Sequence, residues 1–214
     1  MFYTFVRFIG FLLFKIFFRL GIFGRENFPK EGPVIVAPNH ASFLDPIIVG
    51  IGAPLKLNYL ARDTLFKSRP FAKFLYLINV SPIRRETGDV NAFKLALNRL
   101  SQKKAVIIFP EGTRSRDGNL QDPKSGIGFL QVSSGATILP CYVKGSMEAW
   151  PRHSRFPRPR AVSVYFGKPL RFDGGFTGER ERYAFIARGV MAAINELKEN
   201  VDVITTRVNR LQKD

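Results

Sequence analysis

The stretch PVIVAPNHASFLDPIIVGIGA (33–53) decides the fold, because an apolar run, a polar turn and a second apolar run follow one another directly. Residues 33–38 form a continuous apolar segment, which is typical of a strand buried on both faces of a sheet. Residues 46–53 are also apolar, and Pro46 suits the first turn of a helix. The stretch therefore predicts a strand, a turn and a helix, with residues 39–45 at the carboxyl end of the strand.

The same alternation continues along the chain, where short apolar runs predict strands and amphipathic segments predict helices. Further strands are predicted at 57–61, 79–83, 105–109, 137–143 and 161–166, and helices at 65–78, from about 90 to 100 and from about 179. Strands that alternate with helices indicate an α/β fold, a single domain with a largely parallel or mixed sheet flanked by helices. The length of 214 residues is enough for one such domain with its own core.

The amino-terminal segment differs in composition from the rest of the chain. MFYTFVRFIGFLLFKIFFRLGIF (1–23) approaches the length of a bilayer span, but it carries Arg7, Lys15 and Arg19. A cation at the centre of a span costs about 3 kcal/mol on insertion scales. The segment therefore predicts a membrane-associating helix (1–24) that lies in the interface, with a true span as the alternative, ahead of an α/β domain (25–214). The location expected is the cell membrane, peripheral or monotopic, on its cytoplasmic face.

Net charge and residue counts restrict the possible partners. Lys and Arg outnumber Asp and Glu by 33 to 17, which favours an anionic partner. The 21 Phe residues are interleaved with basic residues near the amino terminus and in 65–78, a mixture that suits a lipid interface better than a DNA groove. We therefore expect a membrane phospholipid surface as partner and no nucleic acid. With two histidines and one cysteine, the chain offers no His-rich metal site and no internal disulfide.

The chemically richest segments all follow predicted strands. They are 39–45, the pair Arg84 and Arg85, and 111–115. Ligands of open α/β sheets bind at the carboxyl ends of the strands. We therefore expect these three segments to meet at one edge of the sheet.

The first of these segments contains His40 and Asp45, five residues apart. If the chain turns between them, the carboxylate can bind one imidazole nitrogen and fix the tautomer, so that the other nitrogen accepts a proton. No G-x-S-x-G nucleophile motif occurs in the chain, so the activated hydroxyl is expected to belong to a substrate. The alternative for Asp45 is a helix N-cap before Pro46.

The other two segments offer groups suited to a phosphate. Gly112 lets the backbone approach a ligand, Thr113 and Ser115 add hydroxyl donors, and Arg114 has a planar fork. Glu111 is expected to orient Arg114 or to bind an acceptor hydroxyl. Arg84 and Arg85 are a second phosphate candidate. The alternatives are a solvated turn with a surface ion pair for the first set, and an exposed pair of arginines for the second.

Four ordered blocks resemble those of the glycerolipid acyltransferases, and in particular the 1-acylglycerol-3-phosphate acyltransferases. The blocks are Asn39-His-x4-Asp45-Pro46, residues 65–85 ending in Arg84-Arg85, Phe109-Pro-Glu-Gly-Thr-Arg-Ser115, and Ile138-Leu-Pro140. Lys124 and Gly126 stand where that family often has a basic-x-Gly before a helix. Order and spacing match over about 33–170, so the resemblance is far more specific than the first block alone.

The resemblance implies an acyltransferase that moves a fatty acyl group from acyl-CoA or acyl carrier protein to the free hydroxyl of a lysophospholipid acceptor, lysophosphatidate, giving phosphatidate for phospholipid synthesis. His40 would be the base and Asp45 would orient it. Arg114, one of Arg84 or Arg85, and the residues around them including Lys124 would bind the acceptor. Backbone amides near Gly112 or in the 39–45 turn would stabilise the oxyanion. No metal and no cofactor is implied.

Three other functions remain open at this point. The same chemistry serves glycerol-3-phosphate, another lysophospholipid or lyso-ornithine lipid as acceptor. Water in place of the acceptor would make the protein a hydrolase. The charge alone also permits a non-enzymatic basic protein that binds membranes or nucleic acid.

Overall fold

A seven-stranded sheet forms the centre of the fold. The computed structural model describes residues 1–83, 90–151, 153–172 and 178–211, with side chains as far as residue 205. Within these residues the strands are β1 Gly21–Phe23, β2 Val34–Pro38, β3 Leu57–Arg62, β4 Val80–Ile83, β5 Ala105–Ile107, β6 Thr137–Lys144 and β7 Ser163–Phe166. The helices are α1 Phe2–Phe18, α2 Asp45–Gly52, α3 Arg69–Leu77, α4 Val90–Ser101, α5 Gly126–Ser134, α6 Ser146–Ala149 and α7 Glu179–Leu211.

The strands lie in the order β1-β7-β6-β2-β5-β3-β4. Neighbouring strands run parallel, except that β6 and β7 are antiparallel. The sheet is therefore mixed, and the predicted fold class is confirmed. Every predicted strand appears within two residues of its predicted ends.

The central strand β2 is buried at all five positions because helices cover both faces of the sheet. Val34 and Val36 pack on one face with α1 and α2. Ile35 and Ala37 point to the other face, where α4, α5 and α7 lie. This double burial explains why the first strand is an unbroken apolar run rather than an alternating one.

The amino-terminal helix is shorter than the sequence predicts. It ends at Phe18, and Arg19 adopts a left-handed conformation with φ 47° that stops it. The chain then forms β1, which pairs with β7 and so belongs to the sheet. Gly21 permits this pairing, since a Cβ there would lie 2.8 Å from the Ser163 hydroxyl oxygen. Apolar residues alone could not show that this end of the segment is an edge strand.

The helix predicted at 65–78 is also shorter in the structure. A 3-10 turn covers Asp63–Phe66, and α3 begins only at Arg69. Pro70 lies in the first turn of α3. Its ring would clash with the carbonyl of residue 66 if the helix began earlier, so the proline marks the start.

One face of α1 is apolar and exposed. Eight large side chains on it are 38–71% exposed: Phe2, Phe5, Phe8, Ile9, Leu12, Leu13, Ile16 and Phe17. The opposite face packs on the core through Phe11, Phe14 and Phe18. In the part of the chain that the structure describes, no helix combines the length and apolar character needed to cross a membrane.

Candidate active site

The loops that follow β2 and β5 meet at one edge of the sheet. The two strands are parallel neighbours, with Val36 opposite Ile107 in the register. The residue after β5, Ile108, continues the pairing by donating its N–H to the Val36 carbonyl at 2.9 Å. The polar segments 39–45 and 109–115 therefore lie side by side, as the carboxyl-end rule predicts.

His40 and Asp45 are in direct contact. The His40 Nδ1 and Asp45 Oδ2 atoms are 2.9 Å apart. Asp45 is fully buried, whereas the side chain of His40 is 18% exposed. A carboxylate oxygen can only accept, so Nδ1 carries the proton and the lone pair of Nε2 is left available for a substrate.

Asp45 also closes the turn between strand and helix. Its Oδ2 accepts the backbone N–H groups of Ala41 and Ser42, each at 2.7 Å. Both amides precede Asp45, and the N-cap of α2 is Leu44, which makes no side-chain capping bond. The N-cap alternative is therefore wrong: the carboxylate points back toward His40 rather than forward onto the helix.

The loop after β5 holds the main chain of His40 on both sides. The His40 N–H donates to Glu111 Oε1 at 2.7 Å. The His40 carbonyl accepts the N–H of Ser115 at 2.7 Å. The His40 ring stacks on Phe109, with 3.9 Å between ring centroids and 23° between planes. The position of the imidazole is thus set by both loops together.

Glu111 lies in a different environment from the one expected. It is 3% exposed, and its second oxygen, Oε2, accepts the N–H of Gln121 at 3.2 Å. Burial raises the pKa of this carboxyl to about 7. The partners of Glu111 are backbone amides of two loops rather than the Arg114 guanidinium, and its expected contact with an acceptor hydroxyl stays a prediction. The sequence shows the charge but not the direction of the side chain.

Arg114 is on the same side of the domain as His40. Its guanidinium carbon lies 3.6 Å from the centroid of the Phe43 ring, and Phe43 is three residues from His40. Phe43 in turn is 5.4 Å from the ring of Trp150. This contact is a cation–π interaction, which helps to fix the position of the positive charge. The predicted cationic group therefore lies against the loop that carries the base.

Lys124 lies across Gly112. Gly112 has φ +70°, and a Cβ placed there would lie 2.8 Å from Lys124 Cδ and 3.3 Å from Lys124 Nζ. The Lys124 N–H donates to the Pro110 carbonyl at 2.9 Å, which fixes the segment against the same loop. Lys124 and Thr113 are both exposed. The structure thus brings Gly112, Thr113, Arg114 and Lys124 together with the His40 loop.

Two predicted residues cannot be placed. Arg84 and Arg85 lie outside the described residues. Among the residues that are described, no three His, Cys, Asp or Glu side chains are grouped so that they could hold a metal ion.

Several backbone amides that were expected to bind an oxyanion have partners inside the protein. Gly112 donates to the Phe109 carbonyl at 3.0 Å, and Asn39 donates to the Cys141 carbonyl at 3.3 Å. The amides of His40, Ala41, Ser42 and Leu44 bind the side chains of Glu111, Asp45, Asp45 and Ser42, respectively. These six amides are used to build the loops, and oxyanion stabilisation by amides of this region stays a prediction.

The sequence did not show what several supporting residues of the site bind. The Asn39 side chain exchanges two hydrogen bonds with the backbone of Val143, at 3.2 and 2.7 Å. The Ser42 hydroxyl donates to the Trp150 carbonyl at 2.8 Å. Ser115, expected to offer a hydroxyl to a ligand, is 1% exposed and donates that hydroxyl to Asp117. All three residues lie inside the motifs, but the partners of Asn39 and Ser42 are distant in sequence, so no local pattern showed them.

The chain is similar in sequence to several named acyltransferases. The family model described as Acyltransferase matches residues 19–144. A 1-acyl-sn-glycerol-3-phosphate acyltransferase of Bacillus subtilis is 26% identical over 184 residues, which is 85% of this chain and 89% of that protein. A chloroplast protein of the same name from Arabidopsis thaliana is 28% identical over 142 residues, 64% of this chain and 39% of that protein. The chain thus spans most of the bacterial relative but well under half of the plant one.

A solved structure shares the fold. The crystal structure of the 1-acyl-sn-glycerophosphate acyltransferase from Thermotoga maritima matches with a TM-score of 0.76 and 27% identity. The match covers 92% of this chain and 79% of that one.

Proposed function

Because this chain belongs to the acyltransferase family, we propose that it moves a fatty acyl group onto the free hydroxyl of lysophosphatidate and so forms phosphatidate for phospholipid synthesis. The names of the relatives support the choice of acceptor. One observation carries the proposal: the 2.9 Å contact between His40 and Asp45 lies at the same loop edge as the Arg114 guanidinium. A base and a cation side by side suit an acceptor that carries both a hydroxyl and a phosphate.

The proposed reaction is a direct displacement on a thioester. Nε2 of His40 takes the proton of the acceptor hydroxyl as the oxygen attacks the carbonyl carbon of acyl-CoA or acyl carrier protein. Asp45 stabilises the imidazolium that forms. The carbon–oxygen ester bond forms, the carbon–sulfur bond breaks, and the proton passes from His40 to the leaving thiolate. The thioester is already activated, so the reaction requires no cofactor.

The function is tested with purified full-length protein and a labelled acyl donor, offered as acyl-CoA and as acyl carrier protein. Lysophosphatidate, glycerol-3-phosphate, other lysophospholipids and lyso-ornithine lipid compete as acceptors. Labelled phosphatidate as the main product supports the proposal. Preference for another acceptor, or labelled free fatty acid that forms without any acceptor, would contradict it.

Arg114 is expected to recognise the phosphate of the acceptor. Charge-assisted hydrogen bonds contribute about 1.5–3 kcal/mol, so Arg114→Gln should lower kcat/KM for lysophosphatidate by about 10- to 100-fold. Monoacylglycerol has the same hydroxyl without the phosphate, and kcat/KM for it should change by less than about threefold. An equal loss with both acceptors would show that Arg114 does not act on the phosphate.

We propose further that the protein is a peripheral or monotopic protein on the cytoplasmic face of the cell membrane, where its proposed donors occur. Arg7, a predicted obstacle to membrane insertion, points inward and donates to the carbonyls of Ala53 and Pro54 at the end of α2. Lys15 binds the Leu20 carbonyl at 3.3 Å. Arg7 therefore faces the protein while the exposed apolar face of α1 is directed outward, which suits insertion into the interface.

A variant of α1 with Phe8→Ser and Leu12→Ser should bind vesicles at least about tenfold more weakly, since burying a large apolar side chain is worth about 1.5–3 kcal/mol. Sedimentation with vesicles of phosphatidylglycerol and phosphatidylethanolamine measures the bound fraction. The control is Val90→Ser, which removes a side chain that is 58% exposed on α4 at the other face of the sheet. Equal binding by the double variant and the control would contradict membrane docking through α1.

A further inference from the structure

We propose that Glu111 is a positioning residue, whose buried carboxylate clamps the His40 loop to the loop after β5 and holds the base in place without contacting a substrate. The inference rests on the proposed function, because it assigns a role within the same reaction. It differs from the expectation for the Glu-Gly-Thr-Arg segment, which placed Glu111 among the groups that bind the acceptor.

The clamp joins three separated parts of the chain. Oε1 of Glu111 accepts the N–H of His40 at 2.7 Å, and Oε2 accepts the N–H of Gln121 at 3.2 Å. With 3% exposure, Glu111 is shielded from solvent. One side chain thus fixes residue 40 to residues 111 and 121.

The clamp acts on the base through the main chain. Glu111 holds the His40 N–H, and Ser115 holds the His40 carbonyl at 2.7 Å. The ring is then oriented by Asp45 at Nδ1 and by Phe109 on its face. If the Glu111 bond is lost, the main chain of His40 can shift and Nε2 moves relative to the acceptor hydroxyl. A misplacement of about 1 Å at a reacting group can cost about 100-fold in rate.

A carboxylate suits this role better than any neutral side chain. Both oxygens of an ionised Glu111 accept, and both face an N–H donor. Protonation, or replacement by Gln, puts a donor on one of the two positions, where it faces another donor. The clamp is therefore complete only when Glu111 is ionised.

The surroundings make this ionised state dependent on pH. Burial is the largest cause that raises the pKa of Glu111 to about 7, and the negative charge of Asp45 raises it further. The two backbone hydrogen bonds oppose this shift. The other charged or titratable groups on the two adjoining loops are His40, Arg114, Arg116, Asp117, Asp122 and Lys124. The clamp is thus complete at pH values above 7 and is lost as the pH falls through that value.

The first test is a pH profile of kcat and KM for Glu111→Gln and Glu111→Asp, measured from well below to well above pH 7. Above that value, Glu111→Gln should lower kcat by about 10- to 100-fold with KM for lysophosphatidate within about threefold, since a misplaced base slows the reaction without weakening binding. In the wild type, kcat should fall as the pH drops through about 7, because the clamp is lost when Glu111 takes up a proton. In the Gln variant that acid limb should become shallower.

The control is Glu31→Gln, which makes the same change at an exposed carboxylate. Its kcat and pH profile should match the wild type. An unchanged kcat and acid limb in Glu111→Gln, or a change confined to KM, would overturn the clamp. If the wild type itself fails to acylate lysophosphatidate, the proposed function is wrong, and the clamp is then judged by the second test.

The second test does not depend on turnover. The chain has two histidines, so a His153→Ala variant assigns the ring Cε1–H signal of His40 in the NMR spectrum. In the wild type this signal should report the ionisation of Glu111 as a chemical shift change near pH 7. Loss of that step in Glu111→Gln supports the clamp, and an identical titration curve in the two proteins overturns it.

Discussion

His40→Ala is expected to lower kcat of acyl transfer by at least about 100-fold, the usual size of a general-base contribution. The imidazole is the group placed to take the hydroxyl proton, because Asp45 occupies Nδ1 and leaves Nε2 available. Alanine removes the base and also the ring that stacks on Phe109. The rate is measured as labelled phosphatidate formed at saturating donor and acceptor.

The matched control for this prediction is His153→Ala, because His153 is the other histidine of the chain and is exposed. It should retain the wild-type rate. Thermal unfolding followed by circular dichroism checks that both variants are folded. A His40→Ala protein that is folded and fully active would refute the proposed chemistry and favour a non-enzymatic function.

Asp45→Ala is expected to have a comparable effect, on the order of 10²- to 10⁴-fold in kcat, as for the carboxylate of other acid–histidine pairs. Alanine removes three hydrogen bonds at once, from the His40 ring and from the Ala41 and Ser42 amides. The imidazole loses both its orientation and the negative charge that stabilises its protonated form. The same acyl transfer assay measures the effect.

Asp45→Asn separates these two contributions. Two backbone N–H groups face the Oδ2 position, so the amide oxygen of Asn will occupy it and preserve the three bonds. Only the charge is then lost. A hydrogen bond to a charged group is worth about 1 kcal/mol more than a neutral one, which predicts a loss of roughly tenfold. A loss as large as that of alanine would mean that charge, and not orientation, is the main contribution of Asp45.

His40 and Asp45 should also act as one catalytic unit. If Asp45 acts only through His40, the double variant His40→Ala with Asp45→Ala should be no slower than His40→Ala alone. If the fold-losses of the two single variants instead multiply in the double variant, Asp45 has a second role, such as closing the 39–45 turn for the rest of the site.

The sequence predicted the main site because its residues follow strands. His40 and Asp45 come directly after β2, and Arg114 comes shortly after β5. The carboxyl ends of neighbouring parallel strands share one edge, so a correct strand prediction already implied that the groups would meet. The His40–Asp45 bond and the position of Arg114 beside Phe43 agree with this prediction.

The sequence could not predict where the supporting side chains point. Glu111 is charged and lies in a motif, yet it is buried against the His40 and Gln121 amides. Arg7 lies in an apolar segment, yet it turns inward to the carbonyls of Ala53 and Pro54. In each case the partner is more than nine positions away along the chain, so no local pattern shows it.

The sequence by itself determined the alternation of strands and helices, the chemistry at the carboxyl ends of β2 and β5, and the apolar character of α1. These features depend on the type and spacing of residues that are close together in the chain. Hydrophobic burial and backbone geometry translate such local patterns directly into strands and helices. Only the tertiary structure decided that β1 joins the sheet beside β7, that Arg7 faces the protein, and that Glu111 holds the base. Those outcomes depend on which buried hydrogen-bonding groups remain to be paired once distant segments have packed together.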